Sequence, residues 1–344
     1  MQVRIVRMDD FGRGICYVDD KITFVPNSLT DDLLDIEITK ETKKYNIGKI
    51  KKVLETKEKI SPCPYSNECG GCSLLRMDYS NTLAFKKQKL ENLFKKFGKL
   101  ELNIPIIASP KPLEYRNKIT LHVLNGLVGL YKEETNEVIK IEECKLIPFK
   151  VNEFIKLIPS FKINNGTVVI RTNFNMELLV NFITNDILEM PPLTEFKIAG
   201  ILKNGKALRG DDFLIEKINN MYFKVSYDAF FQINLGVTEK LFNLLLEMAP
   251  KGKNVLDLFC GTGTLGQVLA PFSQKVYGIE INENATINAT YNAKINGHTN
   301  CYYLCGDANL LISKINAPID LVIIDPPRSG MSKKGTDLLK KIKA

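Results

Sequence analysis

The sequence predicts a multidomain α/β protein: an OB-like β-barrel at the N-terminus, a mostly antiparallel middle region and a doubly wound α/β domain at the C-terminus. Three observations predict it. Five short alternating apolar runs fill the first sixty positions, similar runs recur between Ile119 and Ser226, and from Lys253 onward strand-like and helix-like runs alternate around a glycine-rich turn.

A chain of 344 residues exceeds one ordinary core, so two or three domains are expected. Its 47 basic and 39 acidic residues leave a net charge of +8, a modest excess that favours a polyanionic partner without naming one. No apolar run approaches the roughly 18 residues of a membrane span, and the start, Met1-Gln-Val-Arg-Ile5, has no signal-peptide core. A monomeric cytoplasmic protein with no membrane partner is expected. Its eight cysteines then serve as ligands, nucleophiles or packing rather than as disulfides.

The barrel segment is residues 1–58. Strands are predicted at Val3–Met8, Ile15–Val18, Ile22–Val25, Leu33–Thr39 and Tyr45–Leu54, with Gly12, Gly14, Asp19, Asp20, Pro26 and Asn27 between them. Barrels of this type bind single-stranded nucleic acid through a basic groove with interleaved aromatics. Lys40, Lys43, Lys44, Tyr45, Lys49, Lys51 and Lys52 either supply such a groove or form a solvated lysine face.

After the charged stretch Glu55–Lys59 come Cys63, Cys69 and Cys72, three thiols within ten residues on a chain bent by Pro64, Gly70 and Gly71. Such a run points to a metal site whose fourth thiolate is Cys144. Structural zinc normally shows paired Cys-x2-Cys knuckles, whereas a run of three with a distant single matches a [4Fe–4S] cluster better. The other cysteines read as packing: Cys301 and Cys305 share a strand face but lie roughly 13 Å apart, and Cys16 and Cys260 are small core residues.

Tyr79–Gly98 has helical periodicity, with Leu83, Leu90, Leu93, Phe94 and Phe97 on one side and Gly98 marking the end. Strands are predicted at Ile119–Leu124, Leu127–Tyr131, Thr167–Arg171, Leu178–Thr184, Ala207–Arg209 and Met221–Ser226, and a helix at Thr238–Met248. Beyond Lys253 the predicted strands are Asn254–Phe259, Lys275–Ile279, Cys301–Cys305 and Leu321–Ile324, with helices near Thr264–Ala270 and Asn284–Asn296.

The richest stretch runs from Asn254 to Gly266. Gly261 and Gly263 let the chain turn tightly beside a ligand, and the following helix points free N–H groups at the same spot. Gly261-x-Gly263-x-x-Gly266 also satisfies a dinucleotide fingerprint. Asp257 argues against that, since it would repel a pyrophosphate, and suits the cationic amino-acid part of S-adenosylmethionine. Glu280 ends the next strand, where it can accept both ribose hydroxyls. Asp307 is placed to meet an adenine amino group or to cap a turn. Asp325-Pro-Pro-Arg328 makes a rigid loop because two prolines fix φ, and Gln232 both donates and accepts hydrogen bonds and can hold a zwitterion.

Taken together, Cys63-x5-Cys69-x2-Cys72 with Cys144, Tyr115-Arg-Asn-Lys118, Phe230-Phe-Gln-x-Asn234, Asp257-Leu-Phe-Cys-Gly-x-Gly263 and Asp325-Pro-Pro-Arg328 resemble the TRAM-domain RNA (uracil-5-)-methyltransferases that act on 23S ribosomal RNA. The resemblance runs through essentially the whole chain. It implies a TRAM barrel over 1–58, a central domain over 59–78 and 100–230 with a [4Fe–4S] cluster on Cys63, Cys69, Cys72 and Cys144, and a class I methyltransferase domain over 79–99 and 231–344. It implies contacts to S-adenosylmethionine from Gln232, Phe259, Gly261, Gly263, Thr264, Glu280, Asp307 and Asp325. RNA, ribosomal RNA first, is the implied partner. The family's chemistry adds a cysteine thiolate to uracil C6, which makes C5 nucleophilic; a carboxylate later removes the C5 proton, and the base must be unstacked to be reached.

In the family that cysteine and that carboxylate lie beyond Asp-Pro-Pro-Arg, and this sequence ends at Ala344. The expectation is a truncated member that is inactive alone, with the alternative of a catalytically dead remnant that binds cofactor and RNA. The x5 spacing speaks against a radical methylthiotransferase, whose cluster motif is Cys-x3-Cys-x2-Cys. Arg328 speaks against an amino-group methyltransferase, which more usually has an aromatic residue there.

Overall fold

The computed structural model describes residues 1–57, 61–133, 135–327, 330–340 and 342, so Arg328 and part of the 55–59 linker lie outside the described residues. The chain divides into two compact units, Met1–Ala108 with Leu121–Lys145, and Ser109–Thr120 with Leu146–Ala344.

The first unit opens with β1 (Gln2–Arg4), β2 (Arg7–Met8), β3 (Gly14–Val18), β4 (Lys21–Val25), β5 (Leu33–Glu41) and β6 (Asn46–Glu55), followed by helix α1 (Tyr79–Leu93). Strands β7 (Lys118–Leu124), counted in the first unit from Leu121 on, β8 (Leu127–Tyr131) and β9 (Val138–Lys140) make an antiparallel meander. In the six-stranded sheet the order is β1-β5-β6-β4-β3-β2. The run predicted as one strand over Val3–Met8 is split at Ile5-Val6, and its halves pair with opposite ends of that order, β1 with β5 and β2 with β3. Only two residues separate them, so the sheet closes on itself. Alternation places Val3, Ile5, Cys16, Val18, Val25, Leu34 and Ile36 in its interior.

Helix α1 runs on into a π-helical turn over Phe94–Gly98, and the residue that leaves the helix in the left-handed region is Lys99, at φ +55°, not Gly98. Leu90, Phe94 and Phe97 on the expected apolar side are exposed. This helix falls in the first unit, whereas the resemblance groups 79–99 with the methyltransferase segment.

The second unit contains α2 (Phe149–Leu157), β10 (Gly166–Thr172), β11 (Glu177–Ile183), β12 (Lys197–Lys203), β13 (Lys206–Gly210), β14 (Phe213–Ile218), β15 (Met221–Ser226) and α3 (Leu235–Met248). The pairings among β10–β15 are antiparallel except for β11 with β12. There follow β16 (Asn254–Leu258), α4 (Thr264–Leu269), β17 (Lys275–Glu280), α5 (Glu283–Ile295), β18 (Cys301–Cys305), α6 (Ala308–Leu311), β19 (Leu321–Ile324) and α7 (Lys333–Leu339). The last four strands form a parallel sheet in the order β18-β17-β16-β19.

Both faces of that sheet are covered. Val255 and Val276 pack with Phe223, Phe242 and Leu265 on one side, while Leu256, Leu258 and Ile279 pack with Ala308 and Ile312 on the other. Strand β16 is therefore buried along its whole length, as a central parallel strand must be. Its carboxyl end delivers the glycine turn.

Candidate functional site

The turn after β16 is conformationally forced. Phe259 stands at φ +62°, Gly261 at +54° and Gly263 at +78°, values that L-residues adopt only with strain. A Cβ on Gly261 would meet nothing within 4 Å, whereas one on Gly263 would strike Gln267 Nε2 and the Tyr303 hydroxyl at 2.6 and 2.7 Å. Gly261 thus leaves open space in front of the loop and Gly263 lets α4 close behind it.

Three carboxylates gather at this turn. Asp257 is 1% exposed; its Oδ2 accepts from Gly266 N at 2.8 Å, and its Oδ1 has no hydrogen-bond partner. Burial pushes its pKa up to about 7, the Gly266 bond opposes the rise, and the Asp325 and Glu280 charges add to it. Glu280 braces the loop, with Oε2 accepting from Gly261 N and Oε1 from Asn282 N, each at 2.9 Å. Asp325 Oδ2 accepts from Gln232 Nε2 at 3.2 Å. A buried carboxylate with two more beside it is an excess of negative charge that calls for a cation.

The remaining expected residues are placed as follows. Thr264 is buried, with its hydroxyl 3.1 Å from that of Thr262. Asp307 caps α6, accepting at Oδ1 from Asn309 N and Nδ2 at 2.8 Å, which is the cap reading of that residue. Cys260 is buried, and burial together with Asp257 and Glu280 drives its thiol well above the usual range. A thiol so disfavoured as thiolate is no nucleophile.

Residues outside the expected cofactor contacts hold Gln232 in place. Asn117 donates from its side chain to Gln232 O at 3.1 Å and from its backbone to Ile233 O at 3.2 Å, and Arg171 Nη2 donates to Ala229 O at 2.7 Å. Asn292 donates to Thr262 O at 3.1 Å and so ties the glycine turn to α5. The Tyr115–Lys118 motif was the visible signal for Asn117; Arg171 had none.

The four expected cysteine ligands all fall in the first unit, each partly exposed and free of disulfides. Cys69 Sγ accepts from Gly71 N at 3.4 Å, and Glu142 N donates to the Tyr65 hydroxyl at 3.1 Å, which ties the 63–72 loop to the segment of Cys144. Burial raises the Cys69 thiol, with Cys63 and Cys144 adding to the rise, so these three are electrostatic neighbours. Among the described residues no three His, Cys, Asp or Glu side chains are gathered closely enough to hold a metal ion. Cys63, Cys69 and Cys144 are thus neighbours, but the described residues do not form a metal site. The lysine face is mixed: Lys51 pairs with Glu37 at 3.3 Å, and Lys40 and Lys49 line a cavity of about 380 Å³ together with Glu68, Glu133 and Glu137.

Comparison with known proteins adds three findings. Residues 249–339 match the model of a methyltransferase domain family. An uncharacterized RNA methyltransferase of Clostridium acetobutylicum is 32% identical over 383 aligned positions, covering 95% of this chain and 83% of that protein, and one from Caldanaerobacter subterraneus is 29% identical over 384, covering 97% and 85%. The fold is shared with Pyrococcus abyssi tRNA (uracil-54, C5)-methyltransferase, solved with S-adenosyl-L-homocysteine, at a TM-score of 0.79 and 24% identity over 100% of this chain and 88% of that one.

Proposed function

This chain belongs to the RNA methyltransferase family, and we propose that it serves transfer of a methyl group from S-adenosylmethionine to C5 of a uridine in RNA, ribosomal RNA first. The observation that carries the proposal is the meeting of Asp257, Glu280 and Asp325 at the glycine turn, with one Asp257 oxygen unpartnered. The donor, when bound, supplies an electrophilic methyl on a sulfonium and a second positive charge on its ammonium group.

Within that reading Gln232 and Asp325 orient the methionine end, Glu280 takes the ribose hydroxyls, and Gly261 and Gly263 admit the nucleoside. Phe259 lies against the base, with Asp307 at its amino group and Thr264 behind the turn. Uracil C5 is supported by the motif resemblance and by the shared fold with a protein named for that reaction. Neither the C6 nucleophile nor the C5 base is assigned to a residue of this chain, and the buried Cys260 is excluded from the first role.

We also read the closed sheet of the first unit as an RNA-binding barrel of the TRAM type and Cys63, Cys69, Cys72 and Cys144 as holders of a [4Fe–4S] cluster. What supports this reading is the motif spacing and that all four thiols lie in one unit, with Cys63 and Cys144 adding to the rise that burial gives the Cys69 thiol. A cube also holds its ligands farther apart than a single ion does. Bound there, the cluster would cross-link the 63–72 loop to the segment of Cys144.

The test is calorimetry with S-adenosylhomocysteine, followed by incubation with radiolabelled donor and either ribosomal or transfer RNA and mass spectrometry of the digested nucleosides. Heat on titration and label in 5-methyluridine are expected. Label on an exocyclic amine, or tight uptake of a nicotinamide dinucleotide with no heat from S-adenosylhomocysteine, would sink the reading. Label in transfer RNA alone would move the target from ribosomal to transfer RNA.

A further inference from the structure

We propose that the turn Asp9–Arg13 of the first unit is a nucleobase site, taking one unstacked amino-bearing base of the RNA on Phe11. The class of ligand rests on the RNA-methyltransferase reading; the site rests on its own geometry.

Phe11 is 74% exposed, yet its backbone is fixed. Asp9 Oδ1 accepts from Phe11 N at 2.9 Å and Arg13 N at 2.8 Å, Asp9 N donates to Arg13 O at 2.8 Å, and Gly12 closes the turn at φ +84° with its N–H donating to Asp9 O. An aromatic ring held out in water by so ordered a turn forgoes burial worth roughly 1.5–3 kcal/mol. That is the condition of a stacking platform.

Cations surround it. The Arg13 guanidinium lies 5.5 Å from the Phe11 centroid and 4.3 Å from that of Phe24, and Lys89 Nζ lies 5.9 Å from Phe11. Phe24 in turn meets Tyr45 edge-on at 5.7 Å. Phe11, Phe24 and Tyr45 are three rings grouped around one guanidinium, which Asp9 Oδ2 holds at 2.8 Å, and Lys89 adds a second cation at Phe11; rings beside positive charge are what single-stranded nucleic acid stacks on.

The selectivity comes from the cavity beside Phe11, about 310 Å³ in volume and lined also by Asn27, Ser73 and Glu133. Asn27 Nδ2 donates to Glu133 Oε2 at 2.9 Å, so an amide and a carboxylate that both carry acceptor oxygens line the cavity, together with Arg13, whose guanidinium Asp9 holds. Acceptors of this kind receive an exocyclic amino group, as carboxylates do from cytosine N4, and repel the O4 of uracil.

The experiment measures binding of short single-stranded oligocytidylate, oligoadenylate and oligouridylate to the full chain, together with quenching of a 2-aminopurine placed in the strand. The natural chain is expected to bind the first two more tightly than oligouridylate and to quench the probe. Phe11→Ala is expected to lose roughly 5- to 150-fold in affinity, the worth of one base–aromatic stack, and the quenching with it, while Phe11→Tyr retains both. The side chain is exposed, so truncation leaves the fold intact, which equal thermal midpoints check. Unchanged affinity and quenching in Phe11→Ala, in a chain that still binds RNA, would overturn this inference alone. Tightest binding to oligouridylate would overturn the amino-group selectivity. Failure of the natural chain to bind any RNA would remove the functional reading along with it.

Discussion

Asp257 is held in a state that its own surroundings disfavour. Its carboxyl is pushed up to about 7, against about 3.9 in an unfolded chain. Between those values the folded state binds the extra proton, so this residue's contribution to stability is full below about pH 4 and is lost as pH rises through about 7. Glu216, also buried and pushed up to about 7 despite bonds from Phe174 N and Lys217 N, acts in the same window and the same direction. The cofactor-free chain is therefore expected to melt at lower temperature at pH 8 than at pH 5, with a shallower slope in Asp257→Asn. A cationic donor favours the ionised form, so binding near pH 6.5 should release protons, seen as a dependence of the calorimetric heat on buffer ionisation enthalpy. Asp257→Asn should abolish that dependence, and an unchanged one would remove Asp257 from the site. Asp257, Glu280 and Asp325 were legible because each lies at the end of a strand that its own local pattern announces. Arg171 was not, and Asn117 was visible only as part of the Tyr115–Lys118 motif, because their partners Ala229 and Gln232 lie 58 and 115 residues away; no local pattern encodes such a pairing.

At the scale of the element, α5 and β15 are joined by asparagines. Asn284, Asn288, Asn292 and Asn296 occur every fourth residue and meet Asp228, Ser226, Lys224 and Tyr222, every second residue of the chain running the other way. The match is geometric: four helical residues rise about 6 Å and two strand residues about 6.7 Å, so four pairings stay in register. Asn296 and Asn292 each both accept from and donate to the backbone of their partner, and so satisfy an edge of the β14–β15 hairpin that a strand would otherwise pair. The period-four asparagines were visible in the sequence, but a polar stripe on a helix ordinarily means solvent, and only the unpaired edge opposite reveals its use. Helix α2 was missed although Val151, Phe154, Ile155 and Ile158 have helical spacing, because Pro148 just before it reads as a breaker when it is an N-cap. The ladder implies a gradient. Asn292 is fully buried and also holds Thr262 O, so Asn292→Ala leaves Lys224 N, Lys224 O and Thr262 O without that partner. At about 1–3 kcal/mol per buried group left unsatisfied, and less where water enters, a loss of roughly 2–4 kcal/mol in urea unfolding is expected, with weakened S-adenosylhomocysteine binding. Asn284→Ala, at an exposed pair, is expected to cost less than about 1 kcal/mol. Equal losses at the two positions would show that the ladder is decoration.

For the molecule as a whole, the sequence suggested three segments, while contacts gather into two units. Composition and turn signals mark where a chain changes character, whereas units are defined by long-range packing that those signals do not carry. The first unit has the feature whose chemistry reaches farthest beyond its own residues, the four cysteines. Cys63, Cys69 and Cys72 sit on a loop of turns with little apolar burial, tied to the rest of the unit by Gly70 N to Tyr131 O at 3.0 Å, Glu133 N to Glu68 O at 3.0 Å and the Tyr65 hydroxyl. Drawing four thiolates together is repulsive unless positive metal lies among them, so under the proposed cluster the loop and its ligand would order each other. Anaerobic purification is expected to give a brown protein with about four irons per chain, and Cys69→Ser to lose most of the iron. Chelation should then raise amide exchange over 63–72 and 130–144 while the heat of S-adenosylhomocysteine binding, proposed above for residues of the other unit, stays as it was. A colourless protein with one zinc would overturn the cluster. Iron retained in full by Cys69→Ser would take that residue out of the ligand set, and a collapse of cofactor binding on chelation would show that the cluster governs more of the chain than the segment it cross-links.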